Sequence, residues 1–191
     1  MSRSRIEEIL DAAYVCFTRH GVQRTTMDDI AREAGMSRSA VYQYVRNKEG
    51  AFRQLAARLF DAAVSQARAD LDVQSDLAGR VAAALTAKLD LGLRVWRDSP
   101  HAAELLGDNA RLSADLAADY NTAIRHLLAG AIVAEYPRVD ADEVAELLLA
   151  LTRGLEADLS DPEAALRRLR HGVLLVVAGL HDTYAEHEET R

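Results

Sequence analysis

The chain has 191 residues, 49% hydrophobic and 28% charged, with 3 prolines and 10 glycines. That balance excludes an intrinsically disordered chain and supplies a sizeable core for one compact domain or two small ones that share a core. The net charge is −7, but residues 1–50 hold eight Arg and Lys against seven Asp and Glu, so this head carries +1 and the remainder −8; an acidic body with a near-neutral head is compatible with local DNA binding and weak non-specific attraction.

Ala, Leu, Arg, Asp and Glu dominate, a composition that favours helix throughout. The expected fold is all-α, with about nine helices. Ile6, Ile9, Leu10, Ala13 and Phe17 follow a helical period, so a first helix is expected over 4–19, with Gly21 just past its end. A short second helix is expected over 26–34. Thr26 is its N-cap, Asp29 gives a capping-box-like start, and Met27, Ile30, Ala31 and Ala34 form its inward face. Gly35 breaks it. Ser37 caps a third helix over 38–45, and Asn47 caps a fourth over 48–71.

Helical pattern continues beyond that. A fifth helix is expected over 76–97, stopping at Ser99-Pro100, then a short sixth over 101–107 and a seventh over 112–136, ended by Pro137. An eighth covers 142–159. The Ser160-Asp161-Pro162 turn starts a ninth over 163–184, because proline suits the first turn of a helix. The charged tail, 185–191, is expected to fray.

The most informative stretch runs from Gly21 to Phe52, two short helices around a glycine-containing turn. That is helix-turn-helix geometry, in which the second helix enters the major groove N-terminus first. A reading helix needs small or adaptable residues in its first turns and donors on its exposed face, and Arg38, Ser39, Ala40 and Gln43 meet that need. Arginine bonds two guanine acceptors, glutamine bonds adenine, and a small alanine permits close approach or a thymine-methyl contact. Tyr42 and Tyr44 can donate to phosphates; two residues apart, they cannot share one helix face. Thr25, Thr26 and Lys48 sit at or beside helix N-termini, where amides and the dipole favour an anion.

The segments RIEEILDAAYVCFTRHG, TTMDDIAREAGMS and AVYQYVRNKEGAF together resemble the DNA-binding domain of the tetracycline-repressor-like (TetR) family. They cover roughly the first 55 residues, and are specific in combination. The resemblance implies a helix-turn-helix DNA-binding domain over 2–55 and a helical ligand-binding and dimerisation domain over 56–191. It implies phosphate contacts by Thr25, Thr26, Tyr42 and Lys48, base or backbone contacts by Ser37, Arg38, Ser39 and Ala40, and Tyr44 against the backbone. Two departures stand out. The recognition helix ends Tyr44-Val45 rather than Tyr-Phe, and position 28, where the family can carry a base-reading basic residue, is Asp28.

The later helices match by number and length alone. Val144, Leu147, Leu148, Leu151 and Leu155 line one face of the eighth; Leu166, Leu169, Val173, Val176 and Leu180 line one of the ninth. A neighbouring stripe of Ala165, Gly172 and Gly179 invites close helix approach. This apolar surface is either internal packing or a homodimer interface through the last two helices; a palindromic operator requires two heads at fixed spacing and favours the dimer. The resemblance also implies a small-molecule effector enclosed by helices four to seven, with Trp96, His101, Tyr120, Asn121 and Arg125 as amphipathic candidates.

Other classes fare worse. No nucleophile elbow, phosphate-cradling glycine loop or paired-carboxylate motif points to an enzyme. The histidines, at 20, 101, 126, 171, 181 and 187, are scattered, so neither a metal site nor a cofactor is expected. The single cysteine, Cys16, fits a reducing cytoplasm and reads as a buried structural thiol. Nothing at the start resembles a signal peptide, and no apolar run approaches the ~20 residues of a membrane span. The expected function is ligand-responsive, sequence-specific binding of double-stranded operator DNA. An all-helical protein-binding adaptor without DNA affinity is the alternative.

Overall fold

The computed structural model describes residues 4–73, 75–102, 105 and 108–189. Among them are eight α-helices, one 3-10 segment and no strand. The helices are α1 (Arg5–Arg24), α2 (Met27–Glu33), α3 (Arg38–Tyr42), α4 (Lys48–Leu71), α5 (Leu77–Asp98), α6 (Ala114–Glu135), α7 (Ala141–Glu156) and α8 (Pro162–Glu189). The 3-10 segment, Asp108–Ser113, leads into α6. No described helix is long and apolar enough to cross a membrane.

Local chemistry sets the helix starts. Ser4 caps α1 through a full capping box with Glu7, and Asn47 Oδ1 accepts from the Gly50 amide at 2.8 Å at the head of α4. Several ends differ from the sequence expectation. α1 continues to Arg24 across a kink, because Gly21 adopts φ 75°, ψ 160° inside it. α3 stops at Tyr42 rather than at 45. The Gln43 and Tyr44 amides fall back on Ala40 and Val41, tightening the chain so that Val45 turns into the core. The expected seventh helix divides into the 3-10 segment and α6. α7 stops at Glu156, short of 159, where Asp158 accepts from the Ser160 amide and hydroxyl. α8 runs on past 184 to Glu189. The expected sixth helix, 101–107, falls partly outside the described residues, as do residues 190–191 of the expected frayed tail.

The chain forms two compact units, and they do not follow a single cut at residue 55. The first comprises Met1–Phe60 with Arg94–Ala117, the second Asp61–Leu93 with Ala118–Arg191. Three polar ties hold the later segment into the first unit. Tyr14 donates its hydroxyl to Asp98 at 2.7 Å, Ser99 donates to the Thr18 carbonyl at 2.7 Å, and Arg53 grips Asp115 through both terminal nitrogens at 2.8 and 2.6 Å. The core of this unit gathers Ile9, Phe17, Ile30, Val41, Val45 and Phe52, with Phe17 and Phe52 meeting edge-to-face at 5.8 Å. The core of the second unit is aliphatic, built from Leu85, Leu89, Ile124, Leu128, Leu148 and Leu169.

Candidate nucleic-acid interface

Helices α2 and α3 are short and cannot stand alone in water. They stand because each buries one face and closes its N-terminus. Met27, Ile30 and Ala31 anchor α2; Val41 anchors α3. Thr26 accepts from the Asp29 amide at 3.2 Å, while Asp29 Oδ2 accepts from the Thr26 amide at 3.0 Å and its hydroxyl at 2.7 Å. These bonds hold the Asp29 carboxyl below the usual carboxylate range. Gly35 takes φ 66°, a left-handed conformation that glycine adopts without steric cost, and turns the chain from α2 towards α3. Ser37 then caps α3 by accepting from the Ala40 amide at 3.2 Å.

This frame sorts the expected contact residues. Ser37, Arg38, Ser39, Tyr42, Gln43 and Tyr44 are exposed, and Ala40 is half-buried. Gln43 and Tyr44 lie just past the end of α3, and the Tyr44 carbonyl accepts from Gln54 Nε2 at 3.4 Å. Thr26 is exposed but committed to its cap. Lys48 is half-buried; its ammonium donates to the Gln23 carbonyl at 2.8 Å, joining the head of α4 to the last turn of α1. Two of its three N–H groups stay available to an anion.

Thr25 is the exception. It is 1% exposed, and its hydroxyl donates to the Gly21 carbonyl at 2.7 Å and the Cys16 carbonyl at 3.2 Å. Its side chain therefore locks the end of α1 instead of facing solvent, which corrects the phosphate contact expected of it. Sequence alone does not separate two adjacent threonines of which one caps outward and one bonds inward.

Arg38 is held on two sides. Nη1 donates to Asp28 Oδ2 at 3.1 Å, Nη2 donates to the Tyr42 hydroxyl at 3.3 Å, and the guanidinium carbon lies 5.5 Å from the Tyr42 ring centre. Tyr42 and Asp28 together raise the Arg38 pKa further, so the charge is permanent. The arrangement presents a fixed cation, small hydroxyls and an amide side chain at the start and end of an exposed helix. That set suits base edges and phosphates.

Residues 9–55 match the family model for bacterial regulatory proteins of the tetR family. Over these residues the chain carries a TetR-type segment. The chain is also similar to curated relatives. It is 45% identical over 51 residues to the uncharacterized HTH-type transcriptional regulator YfiR of Bacillus subtilis (strain 168), covering 27% of this chain and 25% of that protein. It is 37% identical over 49 residues to the probable acrEF/envCD operon repressor of Escherichia coli (strain K12), covering 26% and 22%. The matches thus span about a quarter of these relatives' length. Beyond the TetR-type domain the likeness is one of fold. The transcriptional regulator FadR of Bacillus subtilis, solved in complex with stearoyl-CoA, superposes with a TM-score of 0.68 at 16% identity, over 91% of this chain and 98% of that one.

The expected effector residues fall in different units. Trp96, exposed at the end of α5, and His101 belong to the first; Tyr120, Asn121 and Arg125, all on α6, belong to the second. Arg125 is paired with Asp142 and touches His126. Sequence reasoning missed the most unusual group of the second unit. Lys88 on α5 is 5% exposed, donates to Glu156 Oε1 on α7 at 2.7 Å, and lies 5.7 Å from the Tyr120 ring centre. Lys88 and Glu156 are 68 positions apart, so no local pattern announces the pair.

The last two helices also differ from expectation. Leu148 on α7, and Leu169 and Val173 on α8, are fully buried within the chain, so these parts of the expected stripes are internal packing. A Cβ on Gly172 would come within 2.5 Å of the Leu151 side chain, so this glycine serves close approach of α8 to α7, whereas a Cβ on Gly179 meets open space. The exposed leucines among the described residues are Leu147 on α7 and Leu174 and Leu175 on α8.

Proposed function

We propose that the chain is a ligand-responsive, sequence-specific DNA-binding transcriptional regulator, acting as a repressor that a small molecule releases from its operator. The observation that carries this reading is the exposed end of the TetR-type domain. Ser37, Arg38, Ser39 and Gln43 face solvent around α3, with Lys48 and Tyr42 beside them, on a frame whose inward residues are buried. Ala40, Tyr44 and Thr26 complete the contact set. Thr25 supports it from beneath.

A homodimer supplies the two heads that a palindromic operator needs. The exposed leucines of α7 and α8 support an isologous interface through the last two helices. The second unit is the place of the effector. Tyr120 and Asn121 remain its candidates, now with Lys88, the partner of Glu156, beside Tyr120. The stearoyl-CoA held by the FadR neighbour supports an amphipathic molecule. Helix α4 begins with Lys48 in the first unit and ends in the second. A ligand that prefers the released state displaces α4 and lowers operator affinity. This reading involves no chemical step and places the protein in the cytoplasm. An adaptor that binds only proteins leaves the cation and hydroxyls around α3 without a task.

Two substitutions test the assignment of roles. Arg38→Ala relaxes base preference at one operator position, whereas Lys48→Ala weakens every duplex and reduces the salt slope by about one. Identical behaviour of the two variants across operator sequences contradicts it.

A further inference from the structure

Asp28 is an acid placed where the reading above brings DNA. It occupies the second position of α2, beside its N-cap Thr26, and reaches across the helix-turn-helix to Arg38 at the first position of α3. The 3.1 Å pair is more than half exposed on both sides, so it adds little to stability. An acid here also repels a phosphate brought close to it. Its effect on Arg38 is where it differs from an ordinary surface charge.

A guanidinium carries five N–H groups. Asp28 and Tyr42 each take one, from different terminal nitrogens. One N–H on each terminal nitrogen and the one on Nε remain. Guanine recognition needs two, for O6 and N7. The clamp therefore persists while Arg38 meets a guanine, and the arginine arrives with much of its rotamer freedom already removed. A phosphate competes with the Asp28 carboxylate for the same guanidinium and gains less from it. An adenine offers N7 but presents a donor where guanine has O6, leaving the clamped fork half satisfied.

We propose that Asp28 is a specificity-determining residue of this interface, holding Arg38 so that a guanine is favoured under α3 and other bases and non-specific phosphate contacts are penalised. The inference rests on the DNA-binding reading of the first unit. Specificity then comes partly from a penalty on wrong sites and not only from attraction to the right one. The mark of this device is a rise in non-specific affinity when the acid is removed.

The test uses the full chain and a duplex selected by the wild type from a random library. The guanine read by Arg38 is the position whose preference disappears in Arg38→Ala. Affinities are measured for the selected duplex, for one with that guanine replaced by adenine, and for an unrelated duplex. Asp28→Asn is expected to bind the unrelated duplex about 3- to 10-fold more tightly and to lose about tenfold of the guanine-over-adenine ratio. Asp28→Glu keeps most of the ratio. In the Arg38→Ala background, Asp28→Asn leaves the ratio unchanged, since Asp28 acts through Arg38. Equal shifts for all three duplexes, with the ratio preserved, overturn the proposal and reduce Asp28 to a surface charge. An equal change of ratio with and without Arg38 also overturns it. A wild type that selects no sequence removes the DNA-binding reading and this inference with it.

Discussion

Leu147, Leu174 and Leu175 keep 55%, 55% and 60% of their surface in water in the isolated chain. Burying a whole leucine side chain stabilises by ~1.5–3 kcal/mol, so covering a little over half contributes ~1–1.8 kcal/mol each. A two-fold interface repeats every residue, giving six leucines and ~6–11 kcal/mol before the cost of association. Leu175→Asp removes two of these six contacts and places two carboxylates in the seam. The lost burial alone is ~2–3.5 kcal/mol, and desolvation of the acids adds to it. The dimer dissociation constant is expected to rise by about 100-fold or more. Because Leu175 is exposed in the monomer, helicity and the core of the subunit stay intact. Sedimentation velocity over a wide concentration range reads the outcome directly. Wild type is expected at twice the chain mass and Leu175→Asp at the single chain mass over most of that range. A wild type that stays monomeric throughout, or a variant that dimerises as tightly as wild type, refutes the assigned interface.

Other substitutions probe the frame of the first unit. Thr25→Val removes a buried hydroxyl that donates to the Gly21 and Cys16 carbonyls and is expected to cost ~1–3 kcal/mol in urea unfolding. Unchanged stability with weakened DNA binding instead makes Thr25 a contact residue. Burial, and next Glu33 and Asp29, push the Cys16 thiol up to about 11, so a thiol reagent at pH 8 should label the native protein far more slowly than the denatured one. Fast stoichiometric labelling of the native protein contradicts that burial. The Arg53 fork holds the Asp115 carboxyl down to about 2, below its usual 3.8. The stability this provides is fully present above the unfolded value and is lost as pH falls from about 4 through 2. Asp115→Asn is therefore expected to flatten that part of the acid unfolding curve; an identical acid limb in the variant rules out the pair as a contributor.

The parts of this structure set by neighbours in sequence were the legible ones. Thr26 with Asp29, Ser37 with the Ala40 amide, and Asn47 with the Gly50 amide each close a helix start within three residues, and α4 occupies the expected range of 48–71. Features set by distant partners were not legible. Arg53 meets Asp115 across 62 positions, which draws a later segment into the first unit and defeats a simple cut at residue 55. Periodicity showed that α7 and α8 were apolar, but not which side faced which neighbour. Leu169 and Val173 turn into the core of the chain, while Leu174 and Leu175, adjacent to that stripe, are left exposed. At the candidate interface the residue types were readable and their engagement was not. Asp28 and Arg38 are ten positions apart, and only the turn at Gly35 brings them together.

The central claim is that the TetR-type domain reads DNA sequence. Its most direct test is selection from a random duplex library by the purified full chain, sequenced at two salt concentrations. The expected result is an enriched near-palindrome with half-sites about one helical turn apart, a guanine whose preference depends on Arg38, and affinity that falls steeply with salt. No enrichment at either salt concentration, with or without added amphipathic ligands, contradicts it.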